Sequence, residues 1–278
     1  MSRSIPNALT IAGIDPSGGA GIYADLKAFS ALGAYGCGVV AALTAQNTQA
    51  VTGVHTPPID FLRLQIDTLF ADVRIDAIKL GMLGTADIVH AVADRLAHHK
   101  AHSVVLDPVM VAKSGDHLLA RNAVAALREA LLPLATVITP NLPEAGVLLE
   151  VRAPETQKEM YRVAERLRDL LPTRDERWVL LKGGHLPGSE VVDLLFDGDR
   201  MIELPAPRIA TKNTHGTGCT LSSAIAALLP QRRDGLNPVE AAVRDARDWL
   251  LKAIAAADRL EVGSGHGPVH HFHALWRD

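Results

Sequence analysis

Residues 8–13 read ALTIAG, residues 20–32 read AGIYADLKAFSAL and residues 37–43 read CGVVAAL. A short apolar run, a longer amphipathic one and a second short apolar run predict a strand, a helix and a strand. The alternation continues downstream. Short runs at Ala77–Gly81, Ser103–Asp107, Thr136–Thr139, Trp178–Lys182 and Val191–Phe196 predict further strands. Helical patterns at Ile59–Phe70, Ala86–His98, Ala120–Leu131 and Lys158–Leu171 fall between them. Strands separated by helices in this way read as βαβ units around a mainly parallel sheet, an α/β fold. Two long helices, Thr217–Leu229 and Pro238–Leu260, are expected to close the chain. The second has a strong start signal, with Asn237 as N-cap, Pro238 at the first helical position and Glu240 at the third. The polar stretch Pro172–Arg177 is too short to divide the chain, so residues 1–278 are expected to form one domain.

Composition sets the function classes. The 278 residues carry 28 Lys+Arg against 31 Asp+Glu, a net charge of −3, with 48% hydrophobic residues. A near-neutral balance argues against a broad nucleic-acid footprint or a basic membrane-binding face. Two cysteines, Cys37 and Cys219, cannot supply a disulfide framework or a multi-cysteine metal site. The apolar run Ala8–Ile14, closed by Asp15, is not expected to be a signal peptide, and no stretch approaches the ~20 apolar residues of a membrane span. A soluble, cytoplasmic protein is expected.

In an open parallel sheet, ligands bind beyond the carboxyl ends of the strands. After the first strand come Gly13-Ile-Asp-Pro-Ser-Gly-Gly-Ala-Gly21, whose glycines let backbone approach a ligand, although a plain turn accounts for them as well. The second strand is followed by Thr44-Ala-Gln-Asn-Thr48, polar groups suited to the edge of a small ring or to an ordinary loop. The fourth ends in Asp107-Pro-Val-Met110, with a carboxylate that suits magnesium held through water. Thr139-Pro-Asn-Leu-Pro-Glu144 and Lys182-Gly-Gly-His185 end the fifth and sixth, where Glu144 taken alone reads as a first-turn helix acid and Lys182 sits beside backbone flexible enough to meet phosphate. The strongest local feature is Asn213-Thr-His-Gly-Thr-Gly-Cys-Thr-Leu-Ser222. Its Gly-Thr-Gly turn opens onto an apolar helix whose first backbone N–H groups lack intrahelical partners, a ready anion site. Carboxylates, a lysine and an anion nest at strand ends point to nucleotide phosphate with a metal, and so to a phosphotransferase.

These motifs together resemble the hydroxymethylpyrimidine/phosphomethylpyrimidine kinases of thiamine biosynthesis, within the ribokinase-like superfamily. The likeness runs from Ala8 to His273 and is carried by residues 15–21, 45–48, 79–83, 139–144, 181–185 and 211–219. It implies a ribokinase-like fold, with a central, mainly parallel sheet flanked by helices on both faces, and two successive phosphorylations, each dependent on ATP and Mg2+, of hydroxymethylpyrimidine to its monophosphate and then its diphosphate. It further implies that Gln46 reads the aminopyrimidine edge, that Asp25 meets the reacting hydroxymethyl end or a nearby group, and that Gly13, Ala20, Met82 and Val109 wall the pocket. Asn141 and Glu144 match the superfamily's magnesium and phosphate motif, with Asp107 helping through water. Asn141, Lys182 and Thr214 are expected at ATP, and Gly216, Thr217 and Gly218 around the transferring phosphoryl group.

Cys219 stands where the sugar-kinase relatives carry Asp. That suits the pyrimidine branch but leaves the proton acceptor open: Cys219 is the first candidate, with Asp25 or the substrate's own phosphate as the alternatives. The resemblance also suggests a homodimer. Pyridoxal kinase is the nearest alternative, and a non-catalytic metabolite sensor is a more distant one. A cysteine hydrolase lacks an upstream His–acid pairing. His270, His271 and His273 come without a cysteine cluster and are not expected to bind zinc. His98 and His99 are read as the end of a helix, and Cys37 as core.

Overall fold

The computed structural model describes residues 4–110, 121–173, 177–232 and 237–276. β1 (Asn7–Ile14), α1 (Gly21–Ala31) and β2 (Tyr35–Gln46) form the expected unit, with β1 and β2 parallel. They are followed by β3 (Val51–His55), α2 (Ile59–Asp72), β4 (Ala77–Leu80), α3 (Ala86–His98) and β5 (Val104–Leu106). Next come α4 (Arg121–Ala126), β6 (Val137–Ile138), α5 (Leu142–Leu149), α6 (Gln157–Asp169) and β7 (Trp178–Leu181). A hairpin of β8 (Glu190–Phe196) and β9 (Met201–Pro207) leads to α7 (Thr217–Leu228) and α8 (Pro238–Ala255). Ala120, the first residue of the expected fourth helix, and residues 174–176 of the expected Pro172–Arg177 loop lie outside the described residues. α4 runs on as a π-helical turn over Leu127–Leu131.

The strand order is β3-β2-β1-β4-β5-β6-β7-β8-β9. The six central strands, β2 to β7 in that order, are parallel, while β3 and β8 run antiparallel to their neighbours. β1 pairs with β2 on one side and β4 on the other, so the chain changes direction across the sheet there. A crevice opens beyond the carboxyl end of a strand at such a switch point.

Side-chain alternation sorts the core into two layers. Leu9 and Ile11 of β1, with Ile78 and Leu80 of β4, meet α2 to α6 on one face. Ala8 and Ala77 face the layer that contains Phe29 of α1 and the apolar sides of α7 and α8. Each fully buried Leu or Ile contributes about 1.5–3 kcal/mol, so the two layers hold the sheet rigid beneath the crevice. As the sequence predicts, Asn237 caps α8 by accepting from the N–H groups of Val239 and Glu240. That helix ends at Ala255 rather than Leu260, and a 3-10 turn over Ala257–Arg259 follows.

Besides α5, a helix absent from the predicted patterns, three elements differ from the sequence expectation. β2 continues through Gln46, so Thr44 and Gln46 are strand residues rather than loop residues. β3 pairs antiparallel with that extension. β9 carries Pro205 and Pro207, which lack the N–H of a central strand but are tolerated at the sheet edge it forms.

Candidate active site

Beyond the carboxyl ends of β1, β2, β5 and β7 lies a cavity of about 520 Å3, and beside it a second of about 390 Å3. Both are lined by Asn141, Lys182, His185, Thr214, Thr217 and Gly218. Two small-molecule spaces therefore meet at one polar wall.

That wall is built by the start of α7. Its N-cap Gly216 takes φ +73°, and a Cβ there would lie 1.8 Å from the Gly19 carbonyl oxygen, so only glycine fits. The turn closes with Thr217 N–H donating to Thr214 O at 3.4 Å and Thr220 N–H donating to Gly216 O at 2.8 Å, so the Gly218 and Cys219 amides are the ones without an intrahelical partner at the positive end of the dipole. A Cβ on Gly218 would come within 3.3 Å of Lys182 Nζ and 3.5 Å of Asp107 Oδ2, so the missing side chain keeps this junction open.

Lys182 follows β7, and its Nζ donates to Asp107 Oδ1 at 3.1 Å. Asp107 also accepts from Thr139 Oγ1 at 3.1 Å. Burial opposes the charge on Lys182, yet the carboxylates of Asp107 and Glu144 hold its pKa above the ordinary value. Asn141 and Glu144 form a reciprocal capping box at the start of α5. Glu144 N–H donates to Asn141 Oδ1 at 2.9 Å, and Asn141 N–H donates to Glu144 Oε2 at 2.8 Å. Burial pushes the Glu144 carboxyl up to about 7 and Asp107 adds to the rise, while Lys182 and the Asn141 amide oppose it. Glu144 therefore holds its proton more tightly than an exposed carboxyl does.

The larger cavity extends from this wall toward β1 and β2. Gly13, Ala20, Met82 and Val109 line it, and Gln46 and Thr44 stand at its strand edge. Met82 covers Gly13 so closely that a Cβ there would lie 2.6 Å from Met82 Cε. Thr44 Oγ1 lies 3.1 Å from Gln46 Oε1 and 2.8 Å from Ile14 O, so its hydroxyl helps to orient the glutamine amide. Cys219 also lines this cavity. Burial raises its thiol to about 11, against the opposing effects of Lys79 and of the Gly21 N–H that donates to the sulfur.

Every residue that the sequence assigned to the site reaches one of these cavities except Asp25. Asp25 is fully buried beneath the site between α1, β1, β4 and α7. Lys79 Nζ donates to its oxygens at 2.8 and 2.9 Å, and Thr10 Oγ1 and Ser223 Oγ each donate at 2.6 Å. All its acceptor directions are turned into the protein, so it does not meet a hydroxymethyl group. Burial works against the Lys79 ammonium, but Asp25 and the more distant Cys219 and Asp107 hold its pKa well above the usual value.

Several site residues went unassigned in the sequence. Asp15 and His215 line the larger cavity, and Asp193 and Arg247 line the smaller one. The remaining walls of the smaller cavity include Val191, Ile209, Leu221 and Leu250, an apolar slot suited to a planar base. Of the C-terminal histidines, His271 places Nε2 3.0 Å from Thr220 Oγ1. Burial, helped by Lys27 and His270, holds His271 down to about 3, so it is neutral and serves to pack the tail on α7.

Comparison with known proteins adds sequence relatives to this geometry. A family model described as phosphomethylpyrimidine kinase matches residues 15–270. The chain is 56% identical over 270 residues to the hydroxymethylpyrimidine/phosphomethylpyrimidine kinase of Escherichia coli K12, covering 97% of this chain and 98% of that one. Among solved structures, the ADP complex of Bacillus subtilis pyridoxal kinase matches with a TM-score of 0.87 and 36% identity, over 99% of this chain and all of that one. The phosphomethylpyrimidine kinase of Clostridium difficile 630 matches with a TM-score of 0.76 and 38% identity, over 90% of this chain and 99% of that one.

Proposed function

Because the chain belongs to the phosphomethylpyrimidine kinase family, we infer that it phosphorylates hydroxymethylpyrimidine and then its monophosphate with ATP, in thiamine biosynthesis. The observation that carries this reading is the shared wall of the two cavities. A donor and an acceptor lodged on either side of Gly218 meet where the α7 amides and Lys182 converge.

Each residue then has a task. ATP places its base in the apolar slot and its phosphates against Asn141, Lys182, Thr214 and the Gly216–Gly218 turn. The pyrimidine lies between Gly13, Ala20, Met82 and Val109, with the Gln46 amide offering a donor and an acceptor to the ring nitrogen and amino group. In phosphoryl transfer the protein mainly positions the two partners and stabilises charge on the moving group. The α7 amides and Lys182 do so here from fixed positions, and removing one such donor typically costs about 10²–10³ in turnover. Cys219 borders the acceptor side and takes the proton released by the hydroxyl.

Magnesium fits the donor set. Glu144 and Asp107 offer the hard oxygen ligands it prefers, and one Glu144 oxygen remains beyond the capping box. Among the described residues no group of three His, Cys, Asp or Glu side chains is placed to hold a metal by itself. Glu144, with Asp107 through water, would therefore share the ion with the nucleotide phosphates, where it would neutralise phosphate charge. No helix among the described residues is long and apolar enough to cross a membrane. The working form proposed is a cytoplasmic homodimer of single-domain chains, which sedimentation velocity of the purified protein tests.

Product mass after incubation with ATP and magnesium tests the function. Hydroxymethylpyrimidine should gain one and then two phosphoryl groups. Faster phosphorylation of pyridoxal, or no phosphorylation of either compound, would overturn the assignment.

A further inference from the structure

Beside the nucleotide slot, Asp193 of β8 and Arg247 of α8 form an ion pair, with Arg247 Nε 2.8 Å from Asp193 Oδ2. Both are buried, at 7% and 8% exposure. Arg247 also donates from Nη2 to Leu204 O at 2.6 Å. The other oxygen of Asp193 accepts the Gly183 N–H at 2.8 Å. Gly183 directly follows Lys182, whose own N–H donates to Pro140 O at 2.9 Å.

A buried ion pair of this kind is a poor source of stability, because desolvating two charges offsets much of their attraction. What it provides is a charged acceptor fixed in place. Gly183 packs so tightly on β8 that a Cβ would lie 1.9 Å from Val192 O, so its amide cannot swing to another partner without moving the strand. The Pro140 carbonyl on one side and Asp193 on the other thus fix the backbone from which the Lys182 side chain reaches the shared wall.

We propose that Asp193, locked by Arg247, is a positioning residue that sets the phosphate contact of Lys182 through the Gly183 amide. The proposal rests on the reading of Lys182 as a nucleotide-phosphate ligand. It predicts a separation of effects. Asp193 should govern how well ATP is used and leave pyrimidine binding unchanged, because the pyrimidine lies in the other cavity.

Steady-state kinetics and melting curves of Asp193→Ala, Asp193→Glu and Lys182→Ala test it together. Loss of one hydrogen bond to a charged group should raise the KM for ATP about tenfold in Asp193→Ala, with the KM for hydroxymethylpyrimidine within twofold. Asp193→Glu keeps the charge facing Arg247 but displaces the carboxylate by one methylene. It should melt close to the parent and still raise the KM for ATP several-fold, which keeps the test decisive if the alanine variant does not fold. An unchanged KM for ATP in Asp193→Glu, or equal changes for both substrates, would overturn the proposal. Lys182→Ala separates the two readings: if it too leaves ATP use unchanged, the error lies in the role given to Lys182.

Discussion

His215 Nε2 lies 2.7 Å from Asp15 Oδ2, a contact between residues 200 positions apart. Asp15 is also the organiser of its own loop. Its Oδ1 accepts from Ser17 N–H at 2.9 Å and Ser17 Oγ at 2.7 Å, and its Oδ2 accepts from Ala20 N–H at 3.0 Å. His215 in turn donates its backbone N–H to Gly267 O at 3.0 Å. One carboxylate therefore ties the glycine-rich loop after β1 to the start of α7, and the C-terminal tail backs the joint.

The first prediction concerns this tie. Burial works to raise the Asp15 pKa, but hydrogen bonds from His215 and Ser17 outweigh it and leave the value lowered. Its stabilisation is then fully present above the unfolded value near 3.8 and is lost as pH falls through the lower folded value. Asp15→Asn should reduce the urea midpoint at pH 7, and its deficit should shrink as the assay moves below pH 4. Turnover should fall about ten- to a hundredfold, because the acceptor loop and the nest lose their fixed spacing. A deficit that is unchanged across that range would mean the carboxylate charge is irrelevant to the tie.

A second prediction concerns Gln46. Removing a paired amide contact from the cavity costs about 1–3 kcal/mol. Gln46→Ala should therefore lower kcat/KM for hydroxymethylpyrimidine by roughly ten- to a hundredfold while the KM for ATP stays near the parent value. Equal use of the pyrimidine by variant and parent would remove Gln46 from recognition.

The sequence shows some of these features openly and hides others for physical reasons. β1, α1 and β2 are legible because a switch from strand to helix periodicity is a local signal. The Gly216–Gly218 nest is legible because glycines opening an apolar helix have few other uses. β3 and β9 are short edge elements, one with a glycine and one with two prolines, and edge pairing depends on a neighbour that composition does not reveal. α5 is only eight residues long and starts inside the Asn141–Glu144 motif, so Glu144 reads as a first-turn helix acid or as a ligand, and the reciprocal capping box with Asn141 is not visible in the sequence. Asp25 was placed at the substrate because helix position does not say which way a carboxylate points. A clue lay in β4, where Lys79 interrupts an otherwise apolar strand. A lysine buried in a strand requires a buried acid, and Asp25 on the packed face of α1 meets that need.

Glu144 carries the third prediction. Its carboxyl, raised to about 7, binds its proton more tightly in the folded state than in the unfolded one. A raised value means that stability is greatest below the unfolded value near 4.5 and declines as pH rises through 7. Glu144→Gln keeps an oxygen for the capping box but cannot ionise. The variant should melt higher than the parent at pH 8 and show no advantage near pH 4.5, while its activity falls and its magnesium requirement rises. Calorimetry at the two pH values, with magnesium titrations of activity, checks both halves. An unchanged magnesium requirement would reduce Glu144 to a helix cap.

The last prediction concerns the proton. With burial raising the Cys219 thiol to about 11, the neutral thiol dominates at pH 7. Lys79 and the Gly21 N–H favour the thiolate, and Asp25 and Asp107 disfavour it, so the buried Asp25–Lys79 pair acts on Cys219 in both directions. If the thiolate accepts the hydroxyl proton, turnover limited by chemistry should climb with pH through the neutral and alkaline range, following the thiolate fraction. Cys219→Ala should lose about 10²–10⁴ in turnover and flatten that climb, the scale expected for general-base help. Cys219→Asp supplies an acid whose ordinary pKa lies far below that of a thiol, so it should recover part of the loss and level off at a lower pH than the parent. Asp25 cannot replace the base, since Lys79, Thr10 and Ser223 occupy its oxygens beneath the cavity. Turnover of Cys219→Ala within a few-fold of the parent, with the same pH profile, would reduce Cys219 to a wall of the pocket and leave the transferred phosphate to take the proton itself.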